Sequence, residues 1–322
     1  QAAELRGIAA ALGEAFAKAA GALEERLDQE GLREWARVGL GLARLTRRSP
    51  EVAVAFFEAS RALDRLDTAA LSSWAEISAS LADRAPRAAA AFIEATPAAL
   101  TRLEPSELEA WAHQGRRLCG TGWKSARLSA DFFRIAPRLL ESLSLGALDG
   151  LADLVSRLAA RSYETASLCL HDSPSLLTRL AEDDREPFLA FAGALCGASW
   201  VDTHPCFERG PALLEGVRPA LRGAFLDLAT AVAHEAGTGS FSLFVASAEA
   251  VASLDGQDQA EVLEFARQLA PHCARVAIES LVSAPEVRQR LTPIQARLWS
   301  EDGLELLREG QNAERAESYF RI

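Results

Sequence analysis

Residues 71–103, LSSWAEISASLADRAPRAAAAFIEATPAALTRL, hold in one stretch the pattern on which the fold turns. Leu71 and Trp74 stand three apart, as neighbours on one helix face do. Ala89 follows, then the adjacent bulky pair Phe92/Ile93, then Thr96 and Pro97. The same order returns along the chain. Bulky pairs stand at Phe56/Phe57, Phe92/Ile93, Phe132/Phe133, Cys169/Leu170, Cys206/Phe207, Leu243/Phe244, a weakened Ser280/Leu281 and Tyr319/Phe320. Their successive offsets are 36, 40, 37, 37, 37, 37 and 39 residues.

Small residues keep the same phase. Ala53, Ala89, Ser129, Ala166, Thr203, Ser240, Ala277 and Ala316 precede the pairs by three. Ser60, Thr96, Ala136, Ser173, Gly210, Ser247 and Ala284 come four after the first member, and Pro follows five of these seven. Upstream lies a second landmark at Trp35, Trp74, Trp111, Leu151, Phe191, Leu228 and Phe265, each with an apolar residue three positions earlier. Each copy therefore reads as a first helix bearing the Trp position and a second bearing the bulky pair. Ser or Thr before Pro suits an N-cap followed by the first helical residue. The proline is thus expected to end the second helix and open a short extra turn, as over residues 96–103.

Two adjacent bulky residues point about 100° apart on a helix, so they cannot face one neighbour. One is expected to pack inside its own copy and the other against the next, while the small residues let helices approach closely. A single copy cannot bury both faces, and the copies must stack. The expectation is an all-α fold: an α-solenoid, HEAT- or TPR-like, of about seven to eight two-helix repeats of ~37 residues. Residues 1–30 read as an N-terminal capping helix and residues 31–322 as the array. Because Ile322 falls just after the eighth pair, the last repeat reads as truncated and the chain as the N-terminal part of a longer one.

Composition narrows the function. Of 322 residues 49% are hydrophobic, which excludes a disordered chain. With 34 basic against 45 acidic side chains the net charge is −11, which argues against a nucleic-acid clamp. Five cysteines without CxxC spacing do not make a disulfide scaffold. The longest uncharged run, Pro187 to Val201, is too short to span a bilayer, and the first twenty residues read as an amphipathic helix rather than a leader. A cytoplasmic protein that touches neither membrane nor nucleic acid is expected.

Chemical candidates are few. Cys169 with His171, His204 with Cys206, and His272 with Cys273 could meet across copies as zinc ligands. Cys169 and Cys206, however, fall on bulky-pair positions, where cysteine acts as a small hydrophobe, and His171 and His204 hold different phases. Glu182, Asp183 and Asp184, with Arg185 and Glu186, read as a solvated face rather than a paired-carboxylate site. Gly237-Thr238-Gly239 and Gly120-Thr121-Gly122 read as short loops, and no nucleophile elbow or P-loop is present. The constant phase of Trp35, Trp74 and Trp111 marks core rather than a ligand ladder. No catalytic, cofactor-binding or metal residue is assigned, no cofactor is expected, and the sequence singles out no protein-binding residue or oligomeric state. A non-enzymatic protein-interaction scaffold is expected. The alternatives are a repeat enzyme or nucleic-acid processor using a concave groove, and a structural spacer.

The stretch from Trp299-Ser-Glu-Asp-Gly303 through Leu307 to Asn312, followed by Ala316-Glu-Ser-Tyr-Phe-Arg321, resembles a segment of bacterial von Willebrand factor A proteins of the CoxE-like and nitric oxide reductase activation protein group. The upstream copies, with Trp, then Ser-Pro or Ser-Trp, then Phe-Phe, are similar to the helical N-terminal regions of that group. The resemblance implies an adaptor working with a MoxR-type AAA+ ATPase. The metal-dependent DxSxS motif of the A domain is absent from this chain.

Overall fold

Five of the copies begin the same way: an apolar residue, a side chain that caps, then a helix. Asp67 accepts from Ala70 N, Ser144 from Ala147 N, and Asp255 from Gln257 N and Asp258 N. Asp28 takes the amide of Gly31 at 2.7 Å, and Thr292 exchanges bonds with Gln295 as a capping box does. Leu27, Leu66, Leu143, Leu254 and Leu291 stand immediately before these caps, the position from which an apolar side chain fixes the angle of entry.

The computed structural model describes residues 2–45, 51–63, 66–120, 123–308 and 313–320. Among these residues there are seventeen α-helices, one 3-10 turn at Pro105–Glu107 and no strand, so the fold is an all-α helical repeat. Ser49-Pro50, Thr121-Gly122 and residues 309–312 and 321–322, which entered the sequence reading, lie outside the described residues. The chain divides into two units, residues 1–174 and 175–322.

The first unit holds α1 (Ala2–Leu23), α2 (Gln29–Leu45), α3 (Glu51–Ser60), α4 (Thr68–Arg84), α5 (Pro86–Ala99), α6 (Leu108–Arg117), α7 (Trp123–Leu139), α8 (Leu145–Ala159) and most of α9 (Tyr163–Leu177). Helices α1, α3, α5 and α7 pack side by side in one layer, and α2, α4, α6 and α8 in a second. The second unit repeats the plan with α10 (Glu182–Ala198), α12 (Pro219–Ala236), α14 (Gly256–Leu269) and α16 (Pro293–Arg308) in one layer. Its other layer holds α11 (Trp200–Glu215), α13 (Ser240–Ala252), α15 (Ala274–Arg290) and α17 (Ala313–Phe320).

Ring geometry shows how the bulky pairs divide their contacts. Phe57 lies edge-on to Trp35 of its own copy at 5.0 Å, and Phe133 to Trp111 at 5.3 Å. Phe56 stacks on Trp74 of the following copy at 4.7 Å, and Phe92 reaches Trp111 at 5.0 Å. Phe16 of α1 stacks on Trp35 in the same manner at 5.4 Å, so α1 supplies the ring that a preceding copy would. Trp35 and Trp111 are thus each gripped by rings from both sides, which ties the burial of neighbouring helix pairs together.

Two expectations are corrected. Counted from the helix starts, the residue seven past the N-cap is Trp35, Trp74, Trp111, Leu151, Phe188, Phe225, Val262 and Trp299. In copies five to seven the landmark is therefore Phe188, Phe225 and Val262, one turn before Phe191, Leu228 and Phe265. Phe188 makes the own-copy edge contact with Phe207 at 5.6 Å, whereas Phe191 points to Phe244 of the next copy at 4.5 Å. The proline expectation also fails. Pro97, Pro137, Pro174, Pro211 and Pro285 lie inside α5, α7, α9, α11 and α15. Thr96 is no N-cap: its Oγ1 donates to Phe92 O at 2.7 Å. Ser173 Oγ donates at 2.8 Å to Leu170 O, the carbonyl four residues before Pro174 that a proline cannot bond. Burial of Ala99, Leu139, Leu177 and Leu214 in the final turns holds the helices together past the proline.

The corrected register exposes a further constant. Four residues after the landmark stand Gly39, Ser78, Gly115, Val155, Ala192, Ala229, Ala266 and Gly303, small in all but one copy. A Cβ at Gly115 would lie 2.0 Å from Phe133 Cζ, at Gly303 2.0 Å from Phe320 Cζ, and at Gly39 2.2 Å from Phe57 Cζ. The glycine is the seat of the pair's second ring.

Candidate functional site

The cysteine and histidine neighbours are dispersed by the fold. Cys169 and Cys206 are wholly buried at pair positions. His171, half exposed, sits 3.5 Å from Asp131, and His204 is 4.0 Å from Glu208 of its own helix. His272 is exposed. Cys273 is a buried N-cap residue whose Sγ donates to Glu235 Oε1 at 3.1 Å, while Ala274 N donates to Glu235 Oε2 at 2.7 Å. Burial, the largest cause, pushes the Cys273 thiol up, and Glu235 acts in the same direction. All five cysteines are free thiols, and among the described residues no three His, Cys, Asp or Glu are grouped to hold a metal ion.

The acidic cluster is only partly a solvated face. Glu182 and Asp183 are exposed in the first turn of α10, where negative charge is favoured. Asp184 is buried and meets Arg222 of α12 at 3.2 Å, and Arg222 Nε also donates to Val217 O. Polar bonds also reach between helix pairs elsewhere. Arg117 donates to Asp149, Arg218 N to Gln259 Oε1, and Arg26 to Leu63 O. They tie neighbouring helix pairs to one another. Gly237 (φ 63°) and Gly239 (φ 98°) form the turn between α12 and α13, with the left-handed backbone glycine tolerates.

Within the second unit a pocket of 380 Å³ opens between α14, α15 and α16. Val262, Phe265, Val287 and Trp299 give it an apolar floor, with Ala284 and Ala296 leaving the room. Its rim is charged. Arg288 holds Asp258 at 3.2 Å and Glu261 at 2.6 Å, and Arg297 pairs with Glu301 at 2.8 Å. The hydrogen bond from Arg288 is the largest cause holding the Glu261 carboxyl below its usual range. This pocket was not read from the sequence, because no residue type marks it; its signal is undersized residues at repeat positions that are large elsewhere.

Trp299, Gly303 and Phe320 are the eighth copy's landmark, seat and ring, with Trp299 and Phe320 edge-on at 4.7 Å. That part of the quoted resemblance is thus explained by repeat packing. No protein-family profile matches the chain, and no curated protein is significantly similar to it. No described helix is long and apolar enough to cross a membrane. Fold and site together define a protein of the all-α helical-repeat class.

Proposed function

We propose that the chain is a non-enzymatic scaffold that holds a protein partner along stacked helix pairs. The observation that carries this is the division of labour within each copy. The phase-constant residues, from Trp74 and Phe92 to Phe225 and Phe244, are buried, whereas some of the positions between them stand on exposed faces. Polar bonds between successive copies tie those faces together. Large exposed apolar side chains, Leu40, Leu168, Val201, Ile294 and Leu298, stand on these outer faces as contact candidates. The free thiols support a reducing, cytoplasmic setting.

A narrower form, an adaptor for a MoxR-type AAA+ ATPase, rests on the resemblance alone. Binding of a purified ATPase of that type at micromolar concentration tests it. Loss of binding in Leu40→Asp or Ile294→Asp, with melting unchanged, is the expected result. An ATPase that ignores the chain removes the adaptor form.

A further inference from the structure

Ile294 and Leu298 stand one turn apart on α16 and are 74% and 51% exposed. They lie five and one residues before the landmark Trp299, and the repeat gives both positions a fixed meaning. Five before the landmark the chain is exposed in all seven other copies, and there it carries only Glu, Asp, Gln, Ser, Ala or Gly, as at Glu30, Asp183 and Gln257. One before the landmark it is exposed or half-buried and holds no large aliphatic or aromatic side chain. Helix α14 keeps Gln257 and Glu261 in solvent although α16 packs beside it. A helix packed beside α16 in the same way would leave Ile294 and Leu298 open too. The eighth copy thus departs from the array on a face that stacking does not cover.

Residues two and six past the landmark share that side of the helix. On α14 the side reads Gln257, Glu261, Glu264 and Gln268, and on α16 Ile294, Leu298, Glu301 and Glu305, all exposed. Asp227 of α12 holds the matching place on the next helix, and no lysine or arginine stands at any of these positions. Arg288, Arg267 and Arg297 reach in from beside the face to Glu261, Glu264 and Glu301, in solvent-screened contacts of small energy. Asp227 and Glu305 meet no cation among the described residues. The result is an aliphatic pair framed by carboxylates: the pair attracts an apolar stripe, and the frame favours cations beside it.

We infer that this face of α14 and α16 docks a basic amphipathic helix of a partner protein. Its apolar side chains lie on Ile294 and Leu298, and its lysines or arginines turn toward Glu264, Glu301 and Glu305. The one-turn spacing of the aliphatic pair matches apolar residues three or four apart on the incoming helix. Charge selects the class, because the same carboxylates repel nucleic acid and the anionic surface of a bilayer. The inference rests on the scaffold reading and states which face of that scaffold takes which chemistry.

The test titrates the full chain into a fluorescein-labelled peptide of two LKKLLKL heptads and reads anisotropy. A Kd of roughly 10–100 μM is expected at low salt, weakening several-fold at about 0.5 M salt. Ile294→Asn and Leu298→Asn together should weaken binding about tenfold through the lost apolar contact. Glu301→Gln and Glu305→Gln together should weaken it about fivefold and flatten the salt dependence. Glu24→Gln with Glu25→Gln, which removes the same charge from another exposed site, and Leu168→Asn should change nothing. All these side chains are exposed, so the melting temperature should hold. No loss in the Ile294/Leu298 variant, or an equal loss in the Glu24/Glu25 variant, makes the attraction diffuse and overturns the proposal. Equal binding of the peptide with glutamate in place of lysine does the same. Vesicles of phosphatidylcholine and phosphatidylserine that bind the wild type but not the Ile294/Leu298 variant would assign the face to a membrane. Dimerisation in sedimentation that this variant abolishes would assign it to a second copy, and either result overturns the proposal. A partner that binds the chain and the variant equally leaves the scaffold standing and removes this face from it.

Discussion

Trp74 Nε1 donates to Thr96 Oγ1 at 3.1 Å with both side chains shut away from solvent. Thr96 Oγ1 in turn donates to Phe92 O, so a single hydroxyl serves the indole and its own helix. Trp35 Nε1 and Ser60 Oγ repeat this at 2.9 Å, with Ser60 donating to Phe56 O. Trp111 faces the third copy, where the matching residue is Ala136, and its buried Nε1 has no acceptor among the described residues. The small residue after each bulky pair therefore has two duties: it admits the Trp, and where it is Ser or Thr it satisfies it.

Thr96→Val keeps the shape and removes the acceptor. Leaving the Trp74 N–H buried and unpaired should cost about 1–3 kcal/mol, read as a lowered urea midpoint. Combining it with Trp74→Phe should cost less than the two single changes added, because both act on one bond.

Ala136→Ser should do the opposite. It gives Trp111 the acceptor its counterparts have, and a gain of about 1 kcal/mol is expected in the same measurement. The gain should vanish when Trp111 is replaced by Phe.

Gly115→Ala places a Cβ against Phe133 and should destabilise by about 1–3 kcal/mol through overpacking. Gly150→Ala, on an exposed helical site with nothing within 4 Å, should instead stabilise by roughly 0.5–1 kcal/mol. Phe133→Leu should restore part of the loss in Gly115→Ala. Equal effects at the two glycines would refute the seat.

Acid should loosen the seventh copy. The folded Glu261 carboxyl is depressed, foremost by the Arg288 hydrogen bond and next by Gln257, with burial opposing. Its contribution is complete above the ordinary carboxylate value of about 4.3 and disappears as pH falls through the lower folded value. Amide exchange in α15, corrected for intrinsic rates, should lose protection between about pH 5 and 3. Arg288→Gln should flatten that dependence.

The helix pairs were legible because the bulky pair and its small flankers keep phase in nearly every copy. Two features misled. Helices α10 and α12 carry large apolar residues at both Phe188 and Phe191, and at both Phe225 and Leu228, so periodicity alone could not choose the landmark. Their N-caps, Ala181 and Arg218, make no side-chain capping bond and so gave no marker. The proline rule yielded to tertiary packing, since buried leucines beyond Pro137 and Pro174 hold those helices intact. The spacing Trp35/Gly39, Trp111/Gly115 and Trp299/Gly303 was visible in the sequence and announces the ring seat. The pocket could not be read directly, because it consists of what Ser280, Val262 and Ala296 do not fill.

Because Phe56 meets Trp74 as Phe92 meets Trp111, residues 67–103 should be exchangeable as a cassette. Excising them would bring Leu66 up to Glu104 and offer Phe56 the indole of Trp111 in place of Trp74. A gene encoding such a chain could lengthen or shorten by whole modules that reuse the same ring contact, which gives evolution a way to change reach.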